Sequence, residues 1–91
     1  MVHILAKQKI KDFNNWKKGF LEHDGARKAA GSSGGSVFVN PKDENELFVL
    51  FEWDSFENFK NFMQSDTLKS RLKDHSLDPP EVTFLSKKLD F

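Results

Sequence analysis

Polar side chains interrupt the apolar stripe of the first predicted helix, and they are the first candidates for chemistry. At about 100° per residue, Phe13, Trp16 and Phe20 share one helix face, and Arg27 falls near the centre of that face. His23 precedes Arg27 by one helical turn, so the two side chains could hold one anion or enolate together. Histidine is also the side chain most easily tuned for proton transfer near neutral pH. The pattern predicts catalytic roles for His23 and Arg27 at the polar end of an apolar pocket.

A structural interpretation of the same residues stays open. The last turns of the helix can emerge from the core, with Asp24 paired to Arg27 or Lys28 at the protein surface. A surface pair of this kind contributes less than about 1 kcal/mol to stability. In that case neither His23 nor Arg27 would contact a ligand.

Glu52 is the third catalytic candidate, because it stands between Phe51 and Trp53 in a stretch that is apolar on both sides. An ionised carboxylate in a buried strand must be paired or must take up a proton, and such a group suits a general base. The alternative is that this strand end reaches water and that Lys7 or Lys9 on a neighbouring strand pairs with Glu52.

The element that positions these candidates is the apolar stretch 46–53. Its shortness, and the turn signals at 40–45, predict a strand instead of a helix. Alternation places Leu47, Val49, Phe51 and Trp53 on one face, and Phe48 and Leu50 on the other. Because both faces are apolar, the sheet needs a cover on each side.

The rest of the chain supplies the remaining elements of an α+β, ferredoxin-like fold with the order β-α-β-β-α-β. The predicted elements are a strand at 2–10, a helix at 12–30, strands at 36–40 and 46–53, a helix capped by Asp54 with Glu57 in the capping-box position, a shorter helix at 66–75 and a strand at 81–86. Residues 31–35 are predicted to be a flexible loop, and no Lys-Ser/Thr follows that would make it a phosphate-binding loop.

The open side of the predicted sheet favours a homodimer. In the ferredoxin-like plan both helices lie on one face of a four-stranded antiparallel sheet, so one apolar set of the strand, either Phe48 with Leu50 or Leu47 with Val49 and Phe51, would stay exposed in a monomer. Burying apolar surface contributes about 25 cal/mol per Å², and large exposed apolar patches are rare on monomers. The sequence therefore predicts a symmetric dimer with sheet packed on sheet.

Composition excludes several classes of function. The 91 residues fit a single domain, 1–91, with 14 basic and 14 acidic residues and no cysteine. Without a basic excess or an aromatic RNA-binding pattern we expect no nucleic-acid partner, and without a long apolar run or signal peptide we expect no membrane association and a cytoplasmic location. The scattered histidines His3, His23 and His75 predict no metal site.

The strand and helix order, the Phe13–Trp16 helix start, the His23…Arg27…Gly31…Gly34–Gly35 run and the strand 48–53 resemble the dimeric α/β-barrel superfamily, in particular its antibiotic-biosynthesis monooxygenase-like members. The resemblance implies that two sheets close into a barrel across a homodimer. It also implies a pocket between the helices and the sheet of each subunit. We expect this substrate pocket to be lined by Trp16, Phe20, Phe51, Trp53 and Phe59.

The resemblance favours an enzyme, and a second class of function stays open. Haem-degrading relatives use an Asn on the first strand and a His on the second helix. Here the first strand has no Asn and His75 is the only His after residue 56, so we expect no haem and no other cofactor. The first hypothesis is a cofactor-independent monooxygenase or isomerase acting on a small aromatic or apolar substrate. The alternative is a non-catalytic homodimer that binds a small ligand or acts in stress.

Overall fold

The computed structural model of the protein describes residues 1–65 and 80–91. Its elements in chain order are β1 (Val2–Lys9), α1 (Phe13–Glu22), α2 (Asp24–Ala30), β2 (Ser32–Asn40), β3 (Asp43–Trp53), α3 (Phe56–Met63) and β4 (Glu81–Leu85). The helix predicted at 66–75, including His75, lies outside the described residues.

The strands form one four-stranded antiparallel sheet in the order β2-β3-β1-β4. Strands β1 and β3, which carry the buried residues of the sheet, are central, and β2 and β4 are the edges. Ala6 pairs with Val49 and Leu5 pairs with Leu50 in the β1–β3 register. The predicted α+β, ferredoxin-like arrangement is confirmed.

The two faces of β3 differ as its alternation predicts. Leu47, Val49 and Trp53 are at most 2% exposed and face the helices. Phe48 and Leu50 are half-buried on the opposite side, which we call the open face. The side chains that the register places on the open face include His3, Leu5, Lys7, Phe38, Phe48, Leu50, Glu52 and Leu85. In the described part of the chain, the helices contribute to core clusters only on the other face.

Two hydrophobic clusters hold the helices on the sheet. One contains the α1 residue Trp16 and the sheet residues Ala6, Ile10, Leu47 and Val49, with Phe13, Phe20 and Phe51 packed against it. The other contains Ile4, Trp53 and the α3 residue Phe59, flanked by Phe56, Phe62 and Met63 among others. Phe51 touches both clusters, so it lies at the junction between the two helical covers.

The single helix predicted at 12–30 is wrong in one respect, because the structure divides it at His23. This residue has φ −88° and ψ 3°, which ends α1 and turns the chain before α2 begins. Backbone hydrogen bonds still form on both sides of the turn. The His23 N–H donates to the Gly19 carbonyl at 3.1 Å, and the Arg27 N–H donates to the His23 carbonyl at 3.2 Å. Gly25, a poor helix former, follows directly and favours an interruption at this point.

The flexible loop predicted at 31–35 is also wrong. Gly31 ends α2, and β2 already begins at Ser32, with a bulge between Ser32 and Gly34. Gly35 has φ +154°, and a Cβ there would overlap the Leu50 carbonyl oxygen. Only glycine lets the two strands approach so closely, so the glycine-rich composition reflects close strand pairing instead of a loop.

The helix that the sequence predicts after Asp54, α3 in the structure, begins one residue later than predicted. Ser55, not Asp54, is the N-cap of α3, and its side chain accepts a hydrogen bond from the Asn58 backbone N–H at 3.1 Å. The Asp54 carboxylate instead accepts from the Asn58 side-chain amide at 3.0 Å. Glu57 is thereby displaced from the capping-box position.

Candidate functional site

A cleft of about 590 Å³ lies between the first two helices and the β2–β3 half of the sheet. We call it the aromatic cleft. Its lining comprises Phe13, Trp16, Lys17, Phe20, Leu21, Asp24, Arg27, Lys28, Val49, Phe51 and the β2 residues Ser32 to Val37 and Val39. The volume is in the range of roughly 300–1,000 Å³ that small-molecule pockets occupy.

Stacked rings form the helical wall of the aromatic cleft. The ring centroids of Phe13 and Trp16 are 6.2 Å apart, and those of Trp16 and Phe20 are 4.7 Å apart with an interplanar angle of 20°. Phe51 continues the series from the sheet, 6.3 Å from Phe20. The spacing of three and four residues along α1 places these rings on one helix face, where they stack into a column that ends at the Arg27 guanidinium.

The opposite wall is the edge strand β2, which the sequence analysis did not assign to the pocket. Gly35, Val37 and Val39 pair with Phe51, Val49 and Leu47, and these pairs place them on the helix side of the sheet. Val37 and Val39 are both 37% exposed, so the helices leave this part of the sheet uncovered. The alternation of Gly35, Val37 and Val39 indicates one face of a strand. The sequence analysis missed its first member because it assigned Gly35 to the predicted loop.

Arg27 is the charged group of the aromatic cleft that is most deeply buried, at 7% exposure. Its guanidinium carbon lies 3.7 Å from the Phe20 ring centroid, and its Nη2 donates to Asp24 Oδ1 at 3.4 Å. Burial lowers the pKa of the Arg27 guanidinium, and Asp24 opposes that effect. The group stays protonated because arginine retains its proton in proteins.

Asp24 and Lys28 form the rim beside Arg27. Lys28 Nζ lies 2.9 Å from Asp24 Oδ2, and this hydrogen bond is the largest cause of the lowered pKa of the Asp24 carboxyl group. The surface pair that the structural interpretation expected is therefore present between Asp24 and Lys28. Arg27 is buried, lines the cleft and contacts Asp24 at the longer distance of 3.4 Å.

His23 lies away from the aromatic cleft. Its ring centroid is 5.6 Å from that of Phe62 on α3, and His23 is not among the residues that line the cleft. The turn at His23 separates it from the face that Arg27 occupies, although the two residues are one helical turn apart in sequence. The structure thus brings Arg27, but not His23, to the aromatic wall.

The predicted pocket residues divide in the same way. Trp16, Phe20 and Phe51 line the aromatic cleft together. Trp53 and Phe59 are 0% and 2% exposed and form solid core under α3. The Trp53 indole N–H is satisfied by the Ala30 carbonyl at 3.2 Å, which ties the end of β3 to the end of α2.

Glu52 points to the open face, opposite the aromatic cleft. Its Oε1 lies 3.1 Å from His3 Nε2, and Ser33 Oγ donates to its Oε2 at 3.5 Å. The partner is therefore His3 on the adjacent strand, not the predicted Lys7 or Lys9. Glu52 and His3 line a second cleft of about 530 Å³ on the open face. The three catalytic candidates thus occupy three separate environments.

Residues 1–65 and 80–91 lack two further kinds of feature. No group of three or more His, Asp or Glu side chains is arranged to hold a metal ion in this part of the chain. No helix in the same residues is long and apolar enough to cross a membrane.

Comparison with known proteins identifies the fold. No family model and no curated protein matches the sequence. An antibiotic biosynthesis monooxygenase of known structure is 14% identical, with a TM-score of 0.74 over 98% of this chain and 100% of that chain. SnoaB, a cofactor-independent oxygenase from Streptomyces nogalater, is 12% identical, with a TM-score of 0.76 over 98% and 94% of the two chains. A conserved protein from Methanosarcina mazei Go1 is 21% identical, with a TM-score of 0.69 over 96% and 92%. The chain therefore has the fold of antibiotic biosynthesis monooxygenases, as its sequence resemblance predicted.

Proposed function

We propose that the protein is a cofactor-independent monooxygenase that binds a small electron-rich aromatic molecule in the aromatic cleft. The observation that carries this proposal is the stacked wall of Phe13, Trp16 and Phe20 with the buried guanidinium of Arg27 at its end. An aromatic ligand can pack against the edges of these rings, and Arg27 can stabilise negative charge that develops on a ligand oxygen. The fold shared with SnoaB supports the same chemistry.

The proposed reaction needs no electron donor beyond the substrate. A methylene group that is flanked by aromatic rings and conjugated to a carbonyl loses a proton to solvent water, and the resulting enolate reacts with O2. The methylene becomes a carbonyl and the second oxygen atom leaves as water, so one O2 is consumed for each ketone formed. Arg27 would stabilise the enolate oxygen. His23 and Glu52 do not line the aromatic cleft, and the proposed reaction does not use them.

Oxygen uptake with anthrone tests this function. Anthrone has such a methylene, and its oxidation gives anthraquinone and water with one O2 consumed. We expect Val37→Trp to fill the cleft and abolish uptake. Val82→Trp is the matched control. Val82 is 37% exposed, as Val37 is, and lies on the same side of the sheet, but it does not line the cleft. Uptake that never exceeds the protein-free rate, or that Val37→Trp leaves unchanged, would refute the proposed reaction.

A non-catalytic ligand-binding protein is the second candidate, and one observation favours it. Among the described residues that line the aromatic cleft there is no histidine, so the usual proton-transfer group is missing from its wall. In this case anthrone or a similar ring would bind in the cleft without accelerated oxygen uptake. Calorimetric titration in parallel with the oxygen assay separates the two candidates.

We also propose a homodimer formed through the open face. Phe38 is 57% exposed there, and Leu5, Phe48, Leu50 and Leu85 are only half-buried. A second copy would remove this apolar surface from water. Light scattering coupled to gel filtration gives the mass in solution, and a monomer at micromolar concentration would contradict this assembly.

A further inference from the structure

We infer that the ligand of the aromatic cleft is an aromatic carboxylate, with its carboxylate bound by Arg27. This inference rests on the proposed function, because it takes the aromatic cleft to be the ligand site. It goes further by assigning a charge to the ligand and a specificity-determining role to one residue.

The charge balance of the cleft favours an anion. Its described lining carries three cationic side chains, Lys17, Arg27 and Lys28, against the single carboxylate of Asp24. Lys28 is 65% exposed and already engages Asp24, whereas the Arg27 side chain is only 8% exposed. The positive charge that faces a bound ligand inside the cleft is therefore that of Arg27.

Arg27 has hydrogen-bonding capacity to spare. A guanidinium carries several N–H donors, and one is used by Asp24 at 3.4 Å, well beyond the roughly 2.7–2.9 Å of a strong charge-assisted bond. In residues 1–65 and 80–91 no buried side-chain nitrogen lacks a partner, so the remaining Arg27 donors are not sealed inside the protein. Since Arg27 is almost fully buried and lines the cleft, these donors are open to the cleft.

The position of Arg27 matches a carboxylate attached to a flat ring. The guanidinium carbon sits over Phe20, and Phe20 stacks on Trp16, so a ring bound against this wall brings its edge to the Arg27 donors. A carboxylate accepts two parallel hydrogen bonds from one guanidinium. Asp24, 3.4 Å from Arg27, would repel a dianion such as a phosphate ester more than a monoanion.

Acidity distinguishes a carboxylate from a phenol at neutral pH. Carboxyl groups ionise near pH 4, whereas a phenol with a pKa near 10 is neutral at pH 7. Only the carboxylate presents a full negative charge to Arg27 without first losing a proton to the protein. A carboxylate therefore pairs with Arg27 as an ion at neutral pH, whereas a phenol does not.

Calorimetric titration with 2-naphthoate and naphthalene-2-carboxamide tests the inference. The two probes share ring and shape and differ in charge. We expect the acid to bind about ten- to a hundredfold more tightly than the amide at pH 7. Arg27→Met should abolish this preference while the amide still binds. Lys18→Met, which removes an exposed α1 lysine outside the cleft lining, should preserve it.

A second variant keeps the inference testable if Arg27→Met unfolds. Asp24→Asn removes the carboxylate that competes for Arg27 and repels the ligand, so 2-naphthoate should bind severalfold more tightly and the amide equally well. Equal binding of acid and amide to the native protein, or a preference that survives in Arg27→Met, would overturn the carboxylate assignment and leave the aromatic site standing. Failure of both probes to bind would overturn the proposed function as well.

Discussion

Replacing Arg27 by methionine should abolish the preference for an anionic ligand with little change in the stability of the protein. Arg27 is 7% exposed, and burial lowers its pKa, which means that the folded state disfavours the charged form more than the unfolded state does. That unfavourable contribution is present at every pH below the lowered pKa, and hence throughout the working range of the protein. Methionine has a similar length, fills the same space against Phe20 and carries no charge.

The magnitude follows from three opposing contributions. Replacing a buried ion pair with apolar side chains of similar volume is often neutral or stabilising by about 1–4 kcal/mol, and this range applies to Arg27 because Asp24 is 46% exposed and keeps Lys28 as a partner. Against this stand the lost cation–π contact with Phe20 at 3.7 Å, of about 0.5–2 kcal/mol, and the long Asp24 contact at 3.4 Å, of less than about 1 kcal/mol. These contributions nearly cancel at their central values, so we expect the free energy of unfolding to change by no more than about 1 kcal/mol.

Urea unfolding followed by circular dichroism measures this change, together with calorimetric titration of 2-naphthoate. Lys28→Met is the control, because it removes a positive charge from an exposed side chain and not from a buried one. The free energy of unfolding of this variant should differ from that of the native protein by no more than about 0.5 kcal/mol. A loss of more than about 1 kcal/mol in Arg27→Met, with naphthoate affinity unchanged, would refute the reasoning. Arg27 would then be a structural residue, as the alternative interpretation of the sequence holds.

Three other variants test the strand pairing, the open face and the α3 cap. Gly35→Ala should destabilise by at least about 2 kcal/mol more than Gly34→Ala in urea unfolding, since both have positive φ but only Gly35 would meet a backbone carbonyl. Equal losses would show that the overlap is relieved by a small shift. Phe48→Glu on the open face should give a monomer or an aggregate in light scattering, and an unchanged dimer would contradict sheet-on-sheet packing. Ser55→Ala should cost about 1 kcal/mol through the lost α3 cap, and an unchanged unfolding midpoint would contradict that assignment.

The fold was predictable because its central signals are strong and local. The stretch 46–53 is apolar on both faces, so its assignment as the inner strand β3 depends on no long-range information. The errors occur where one residue type fits two structures. Glycines at 31–35 indicate a loop when seen alone, yet here Gly35 allows β2 to approach the Leu50 carbonyl, a contact that only the paired strands reveal.

The errors at the candidate site have a different cause, since one of them follows from geometry that the sequence already contained. Phe51 and Glu52 are neighbours in a strand, so they cannot both face one cleft; assigning Phe51 to the pocket already places Glu52 on the open face. The position of His23 was not predictable in this way, because it depends on a turn between α1 and α2 that helical periodicity does not register. Arg27 remained on the aromatic face, because α2 packs against the same wall beyond the turn. A buried cation on an aromatic surface, isolated from the other two catalytic candidates, is better suited to select and hold an anion than to share an acid–base mechanism with them.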